Sequence, residues 1–528
     1  MPLSEHLPTA LRGLAARLPG ALAPPIEDGT PTPTIVIIGS GFGGLGMAIR
    51  LKQAGIHTFT IHEKADSVGG TWRDNTYPGA ACDVPSHLYS LSFAPKADWT
   101  RRFPEQAEIL DYLNEVVDRF DLGPHLRFGS ELAEASWDDD ARSWDLRFAD
   151  GTIDAAQVLI AATGQLNRPH VPRIDGSDAF AGNAFHSARW DHEVDLADKD
   201  VAVIGIGASA IQFVPQVAAS ARSVTLYQRS SNYVAPKPDG EYTERQRARF
   251  ERHPLLQRAY RFSIWARFEV RFTWFRRGSR VGRLVEGRFK SELAKLVSDD
   301  LTQQALIPDY TFGCKRVLIA NDWYPTLLQP HVHVVTDRVE RIEPEGVVAD
   351  GELRRAEVLI YGTGFESTGF LAPIHVVGRA GRDLREAWAD GARAHLGVTV
   401  AGFPNLFLLY GPNTNLGHNS IVFMLERQIS YILTTVRRMV EDGIGSVEVR
   451  SDVQEASNDR LQRRLRRTVW ADSCHSWYKT AAGRITNNWS GLTLDYWRRT
   501  ARPRWQDFRL EPRSTTAEAH SGAERVRH

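Results

Sequence analysis

The stretch Ile35-Val36-Ile37-Ile38-Gly39-Ser40-Gly41-Phe42-Gly43-Gly44 decides how the rest of the chain is read. The β-branched run from Thr34 to Ile38, stopped by glycine, predicts a short buried strand. A helical pattern follows from Gly43 to Gly55, and a second strand spans His57 to Glu63. In such a βαβ unit Gly39 permits the tight turn, Gly41 lets backbone approach a pyrophosphate, and Gly44 lets the helix pack on the strand. The helix N-terminus then faces the phosphates, and Glu63 at the end of the second strand can hydrogen-bond a ribose hydroxyl. Dinucleotide binding is the expectation.

A second unit of the same kind begins with a strand over Val201 to Ile204, turns through Gly205-Ile206-Gly207-Ala208-Ser209-Ala210, and continues as a helix over Ala208 to Ala219 that carries Gln212. Its next strand, Ser223 to Gln228, ends without an acid; Arg229 and Ser230 stand there instead. A carboxylate at that point would repel a 2′-phosphate, whereas the Arg229 fork can pair with one and Ser230 can donate a further hydrogen bond. The pair of sites reads as FAD first and NADPH second, with Gln212 grouped in the second site. A disulfide reductase would need a cysteine pair near the flavin, and Cys82 has none nearby in sequence. What remains is an enzyme that hands flavin electrons to oxygen or a small acceptor.

Working outward, 528 residues exceed one hydrophobic core and suggest roughly three or four units. With 64 basic and 64 acidic residues, neither a nucleic-acid grip nor a polybasic membrane tether is advertised. Charged residues at 24% and hydrophobic ones at 42% exclude wholesale disorder. Cys82, Cys314 and Cys474 are odd in number and widely spaced, so no disulfide framework and no metal site are expected, and a reducing cytoplasm fits best. No apolar window of spanning length and no signal-type leader is read. Fourteen tryptophans against four methionines favour flat, rigid aromatic surfaces.

The expected fold class is α/β, with two Rossmann-like dinucleotide-binding domains for FAD and NADPH and a helical insertion in the second. Residues 1–30 form an extension with an amphipathic run at Leu7, Leu11, Leu14 and Leu18. The FAD domain occupies 31–172 and resumes over 350–500; the NADPH domain occupies 173–349, with the insertion at about 241–305. Strands Val158 to Ala162 and Val358 to Tyr361 each run into a Thr-Gly pair, Thr163-Gly164 and Thr363-Gly364, and the second is read as the resumption of the first domain. Residues 241–290 hold fourteen Arg or Lys against five Glu, with Phe262, Trp265, Phe268, Phe272, Trp274 and Phe275 at helical spacing; a basic aromatic helix can serve nucleic acid or a membrane surface, but this spacing favours docking of a helical insertion on the body. Residues 501–528 read as a mobile tail.

Phe180-Ala181-Gly182-Asn183-Ala184-Phe185-His186-Ser187-Ala188-Arg189-Trp190-Asp191 resembles FxGxxxHxxxW followed by Pro or Asp, the fingerprint of Baeyer-Villiger monooxygenases. Gly69-Gly70-Thr71-Trp72, then Tyr77-Pro78-Gly79 and Asp83, resembles that family's second signature, and the resemblance covers roughly residues 34–500. Related flavin monooxygenases usually carry Tyr or Phe where Trp190 stands. Tyr361-Gly362-Thr363-Gly364 departs from the family's common Ala-Thr-Gly.

The resemblance implies insertion of one oxygen atom of O2 beside a ketone carbonyl through a C4a-peroxyflavin, giving an ester or lactone; oxygenation at sulfur or nitrogen is the first alternative, and a flavin-bearing redox or binding protein the second. It adds Gly70, Thr71, Trp72, Asp83 and Tyr89 to the FAD site, and puts His186 and Trp190 on the interdomain linker with an indirect role. Phe312-Gly313-Cys314-Lys315-Arg316 resembles the family's Lys-Arg pair. By that likeness Arg316 stabilises the peroxide and the anionic adduct, Asp83 orients it, and Lys315 joins Arg229 on the 2′-phosphate. Gly411-Pro412-Asn413 precedes an apolar helix, Ser420 to Val440, whose N-terminus could face the flavin. The segment Trp470 to Trp489 is read as a substrate lid or as core packing.

Overall fold

The computed structural model describes residues 24–297, 305–474 and 476–513; the amphipathic run Leu7–Leu18 and the last part of the expected tail lie outside the described residues. The first unit comprises β1 (Ile35–Ile38), α1 (Phe42–Gln53), β2 (Phe59–His62), β3 (Leu126–Arg127) and β4 (Val158–Ala161). The second comprises β5 (Asn183–His186), β6 (Asp200–Ile204), α2 (Ala210–Ala218) and β7 (Ser223–Tyr227). The insertion consists of α3 (Glu244–Arg252), α4 (Pro254–Val270) and α5 (Arg280–Leu296). There follow β8 (Val332–Val335), β9 (Val358–Tyr361), β10 (Leu406–Leu408), α6 (Ile421–Glu441), β11 (Ile444–Val449) and β12 (Phe508–Pro512).

Two five-stranded parallel sheets result, in the orders β10-β4-β1-β2-β3 and β8-β7-β6-β9-β5. Every residue of β1 and β4 is buried, as a parallel strand covered on both faces requires. Nine of the twelve residues of α1 are buried, because it is sandwiched between the first sheet and α6; Arg50 and Lys52 complement its C-terminal carbonyls.

The structure corrects three expectations. β9 does not resume the first domain: Val358–Tyr361 pairs in register with Val201–Ile204 on one side and Asn183–His186 on the other, inside the second sheet. Its VLIY is as apolar as the VLIA of β4, so only pairing could tell them apart. The first sheet is rejoined later, at β10, which pairs with β4. The chain beyond Arg502 is not loose throughout, since β12 pairs antiparallel with β11. Finally, Cys314 and Cys474 form a disulfide, leaving Cys82 as the free, buried cysteine, so the expectation that the three cysteines stay unpaired is corrected. Sequence separation concealed the pair, because 160 residues lie between the partners.

The insertion docks through the expected aromatic face. Ile264 and Phe268 of α4 pack on Leu88 of the first unit. Glu269 of α4 accepts from the Asn419 side-chain amide at 2.9 Å, the Thr493 hydroxyl at 2.8 Å and the Leu494 N–H at 2.9 Å. A buried carboxylate thus ties the insertion to two distant segments.

Candidate active site

The two glycine turns are built alike. Gly39 has φ +103°, and a Cβ there would lie 2.7 Å from the Ala162 carbonyl oxygen; Gly205 has φ +100°, and its Cβ would lie 2.5 Å from the Gly362 oxygen. Each turn is therefore backed by its own Thr-Gly crossing, Thr163-Gly164 for the first and Thr363-Gly364 for the second. A Cβ on Gly44 would come 1.9 Å from the Gly39 oxygen, so glycine is needed for helix and turn to close. Gly41 instead faces open space, its nearest neighbour being Gly70 Cα at 3.9 Å. Gly207 is similarly free, with the Gly362 oxygen at 3.6 Å. Side chains at these two positions would fill the room that a pyrophosphate takes.

A cleft opens on the first turn, lined among others by Gly39, Gly41, Glu63, Gly70, Thr71 and Trp72. Tyr89 also lines it, accepts from the Trp72 indole N–H at 3.2 Å and packs edge-on against Phe42. Glu63 is buried; burial would raise its pKa, but hydrogen bonds from the Ser40 and Ala65 N–H groups and the Ser40 hydroxyl, with Arg73 beside it, hold it below the usual carboxylate range. A ribose hydroxyl reaching Glu63 would replace the Ser40 hydroxyl or Arg73.

At the second turn the Lys315 ammonium donates to the Ser230 hydroxyl at 2.6 Å and lies 4.4 Å from the centre of the Tyr310 ring. Burial, and then the charge of Arg229, push Lys315 below the usual lysine range. Two cations and a hydroxyl crowded this way fit a phosphate dianion, whose arrival would relieve their repulsion. Ala208 is exposed on the turn, Ser209 half-buried and Ala210 buried at the start of α2. Gln212 is committed elsewhere: it accepts from the Tyr77 hydroxyl at 3.0 Å and donates to the Ala81 carbonyl at 2.9 Å, stitching α2 to the first unit.

Arg316, next in the chain after Lys315, turns the other way and forms an ion pair with Asp83. The two side chains keep 35% and 30% of their accessibility, so the pair fronts an opening rather than filling a core. Asp83 raises the Arg316 pKa above its ordinary value, holding the guanidinium permanently charged. His186 is buried at the end of β5, where its Nδ1 accepts from the Ala188 N–H at 3.0 Å; burial pushes its pKa down to about 4, so the imidazole is neutral at pH 7. Trp190 packs against Phe185 and Phe213, at 5.2 and 5.3 Å between ring centres, clamping the fingerprint onto α2.

A family model described as pyridine nucleotide-disulphide oxidoreductase matches residues 36–252, a span that holds both glycine turns. A Baeyer-Villiger monooxygenase of Pseudomonas aeruginosa is 42% identical over 495 residues, covering 92% of this chain and 93% of that protein. The chain belongs to the Baeyer-Villiger monooxygenases. It is an NADPH-dependent flavoprotein enzyme with FAD and NADP(H) as cofactors. Among solved structures, OTEMO in complex with FAD and NADP superimposes with a TM-score of 0.82 at 27% identity, covering 91% of this chain and all of that one. Cyclohexanone monooxygenase from Rhodococcus bound to NADP+ does so with 0.82 at 26% identity, covering 93% and 100%. Among the described residues no helix is long and apolar enough to cross a membrane.

Around Arg316 this monooxygenase carries groups that the sequence reading missed. Tyr410 and Tyr478 both feel its charge, and burial raises both hydroxyls above the ordinary tyrosine range. Tyr410 lines the first cleft, adopts φ +61°, and is held by its N–H donating to Gln428 at 2.9 Å and its hydroxyl donating to Asn415 at 2.7 Å. A bulky residue in that region is uncommon and is kept there by its surroundings. Its neighbours Gly411-Pro412-Asn413 were the one local signal. Within the Trp470–Trp489 segment, Trp470, Tyr478 and Ile485 form a buried cluster with Phe275.

Proposed function

We propose that the enzyme inserts one oxygen atom of O2 beside the carbonyl of a ketone, giving an ester or lactone. The first cleft would hold FAD through Gly39, Gly41, Gly70, Thr71, Trp72 and Tyr89, with Glu63 beside the ribose and Gly44 closing the turn. The second turn would hold NADPH at Gly205, Gly207, Ala208, Ser209 and Ala210, its 2′-phosphate on Arg229, Ser230 and Lys315. When bound, the two groups supply hydride transfer to the flavin and activation of O2.

The chain's own contribution centres on Arg316, and its ion pair with Asp83 is the observation that carries this reading. A fixed guanidinium at the opening stabilises negative charge as it develops on the ketone oxygen. Asp83 supplies orientation and keeps the cation from swinging into solvent. Tyr410 and Tyr478 stay protonated, so they add no competing negative charge. His186, neutral and tied to Ala188, acts by position rather than by proton transfer.

Arg316→Ala tests this directly. NADPH oxidation should survive while ester or lactone formation falls by about 10²-fold or more, the usual scale for losing one such donor. Measuring NADPH consumption and product mass over a ketone panel gives both numbers, and a thioether in the same panel reports sulfur oxygenation. Undiminished ketone oxygenation would overturn the role given to Arg316.

A further inference from the structure

Cys314 stands immediately before Lys315 and Arg316, and the structure joins it to Cys474 with 6.3 Å between their Cα atoms, within the usual span of roughly 4.4–6.8 Å. Both sides of the bridge lead to the same place. Behind Cys314, Gly313 has φ +82°, and a Cβ there would lie 2.8 Å from the Phe275 ring, so the arginine loop is pressed against the Phe275–Trp470 cluster. Beyond Cys474, the Lys479 ammonium donates to the carbonyls of Asp472 and Cys474, the latter at 3.2 Å, closing a turn. Within that turn Tyr478 packs edge-on against Trp470 and lies close enough to Arg316 to feel its charge. Arg277 pairs with Asp472 at 3.1 Å on the outside. Arg316 is thus held in front by Asp83 and behind by a covalent link to the turn that carries Tyr478.

We propose that the Cys314–Cys474 bridge is a positioning element for Arg316 and that it is redox-addressable, setting how efficiently NADPH oxidation is coupled to oxygenation. Reduction by a dithiol transfers two electrons and two protons: the S–S bond breaks, thiols form on Cys314 and Cys474, and the dithiol becomes its own disulfide. Cys314 is enclosed whereas Cys474 is partly accessible, so an incoming thiolate reaches the bridge from the Cys474 side. Cys82, next to Asp83, does not compete, because burial pushes its thiol well above the ordinary range and keeps it protonated. Once the bridge is cut, the arginine loop and the Tyr478 turn stay together through packing alone. Catalytic groups must be held to about 0.5 Å, so modest slack at Arg316 costs coupling before it costs cofactor binding.

The inference rests on the role given to Arg316 above. Its test uses the full-length, FAD-loaded protein before and after dithiothreitol, together with the double variant Cys314→Ser/Cys474→Ser. Thiol blocking followed by mass spectrometry should find one free thiol before reduction and three after. Amide hydrogen exchange should rise several-fold around residues 311–318 and around Cys474 on reduction, with β1 and β6 unchanged. The double variant should show the raised exchange without reductant, a product yield per NADPH at least three-fold below the bridged enzyme, an unchanged flavin absorbance spectrum, and no response to dithiothreitol. Should the double variant not fold, reduced wild type carries the same comparison of exchange and yield. Three free thiols in the untreated protein, or exchange and yield unmoved by cutting the bridge, would each overturn the proposal. Failure of the Arg316 reading shows itself separately, in Arg316→Ala with the bridge intact.

Discussion

Glu63 and Arg229 stand at the ends of the second strands of the two βαβ units, and their opposite charges distinguish the two sites. Arg229 is exposed and shares its corner with Ser230 and Lys315. Removing one charged donor from such a corner costs about 1.5–3 kcal/mol. Arg229→Ala should therefore raise KM for NADPH tenfold or more while leaving kcat within about two-fold, because the phosphate takes no part in the chemistry. KM for NADH should barely move, and steady-state kinetics with both nucleotides checks the split. These residues were legible because each directly follows a strand with a glycine turn before it. Tyr410 and Tyr478 were not: Gly411-Pro412-Asn413 flags the turn beside Tyr410, but nothing local shows that either tyrosine will face a distant arginine.

At the scale of elements, α4 shows how a basic, aromatic helix becomes part of the body. Its aromatic spacing points to docking, and Phe268 and Trp265 do pack on the body while Phe262 stays exposed; Glu269 carries no such signal, being one of a few acids among many arginines. Buried and satisfied by Asn419, Thr493 and the Leu494 N–H, it joins three segments. Glu269→Ala strands those donors and should cost about 3 kcal/mol or more, read as a lowered urea or thermal midpoint. Glu269→Gln, able to accept some of the same bonds, should lose clearly less; equal losses would mean that volume matters rather than hydrogen bonding. β9 teaches the complementary lesson. Four apolar residues followed by Thr-Gly describe β4 and β9 equally well, and their sheets are assigned by hydrogen bonds to β1 and to β6.

For the whole molecule, buried histidines set the acid limit. His87, His186 and His395 lie in separate regions, and burial pushes each down to about 4. The unfolded chain takes up protons on these groups near the ordinary value of about 6.5, whereas the folded chain resists until about 4. In that interval the unfolded state binds more protons, so stability falls as pH drops from about 6.5 to about 4, each group contributing on the order of 3 kcal/mol. Thermal midpoints recorded from pH 7.5 down to 4.5 should decline through this window, and His186→Asn should flatten part of the slope. A midpoint constant down to pH 5 would contradict the buried neutral histidines.

Sequence by itself determined the two glycine turns, the opposite charges that follow their second strands, and the family, because those signals lie within a few residues of one another and follow from backbone geometry. Tertiary structure alone decided which strand completes which sheet and that Cys314 finds Cys474 across 160 residues; the meeting of Asp83 with Arg316 is expected from the family likeness, and the structure supplies the contact. Pairing, bridging and charge contact depend on where the chain returns in space, and spacing along the chain does not encode that return.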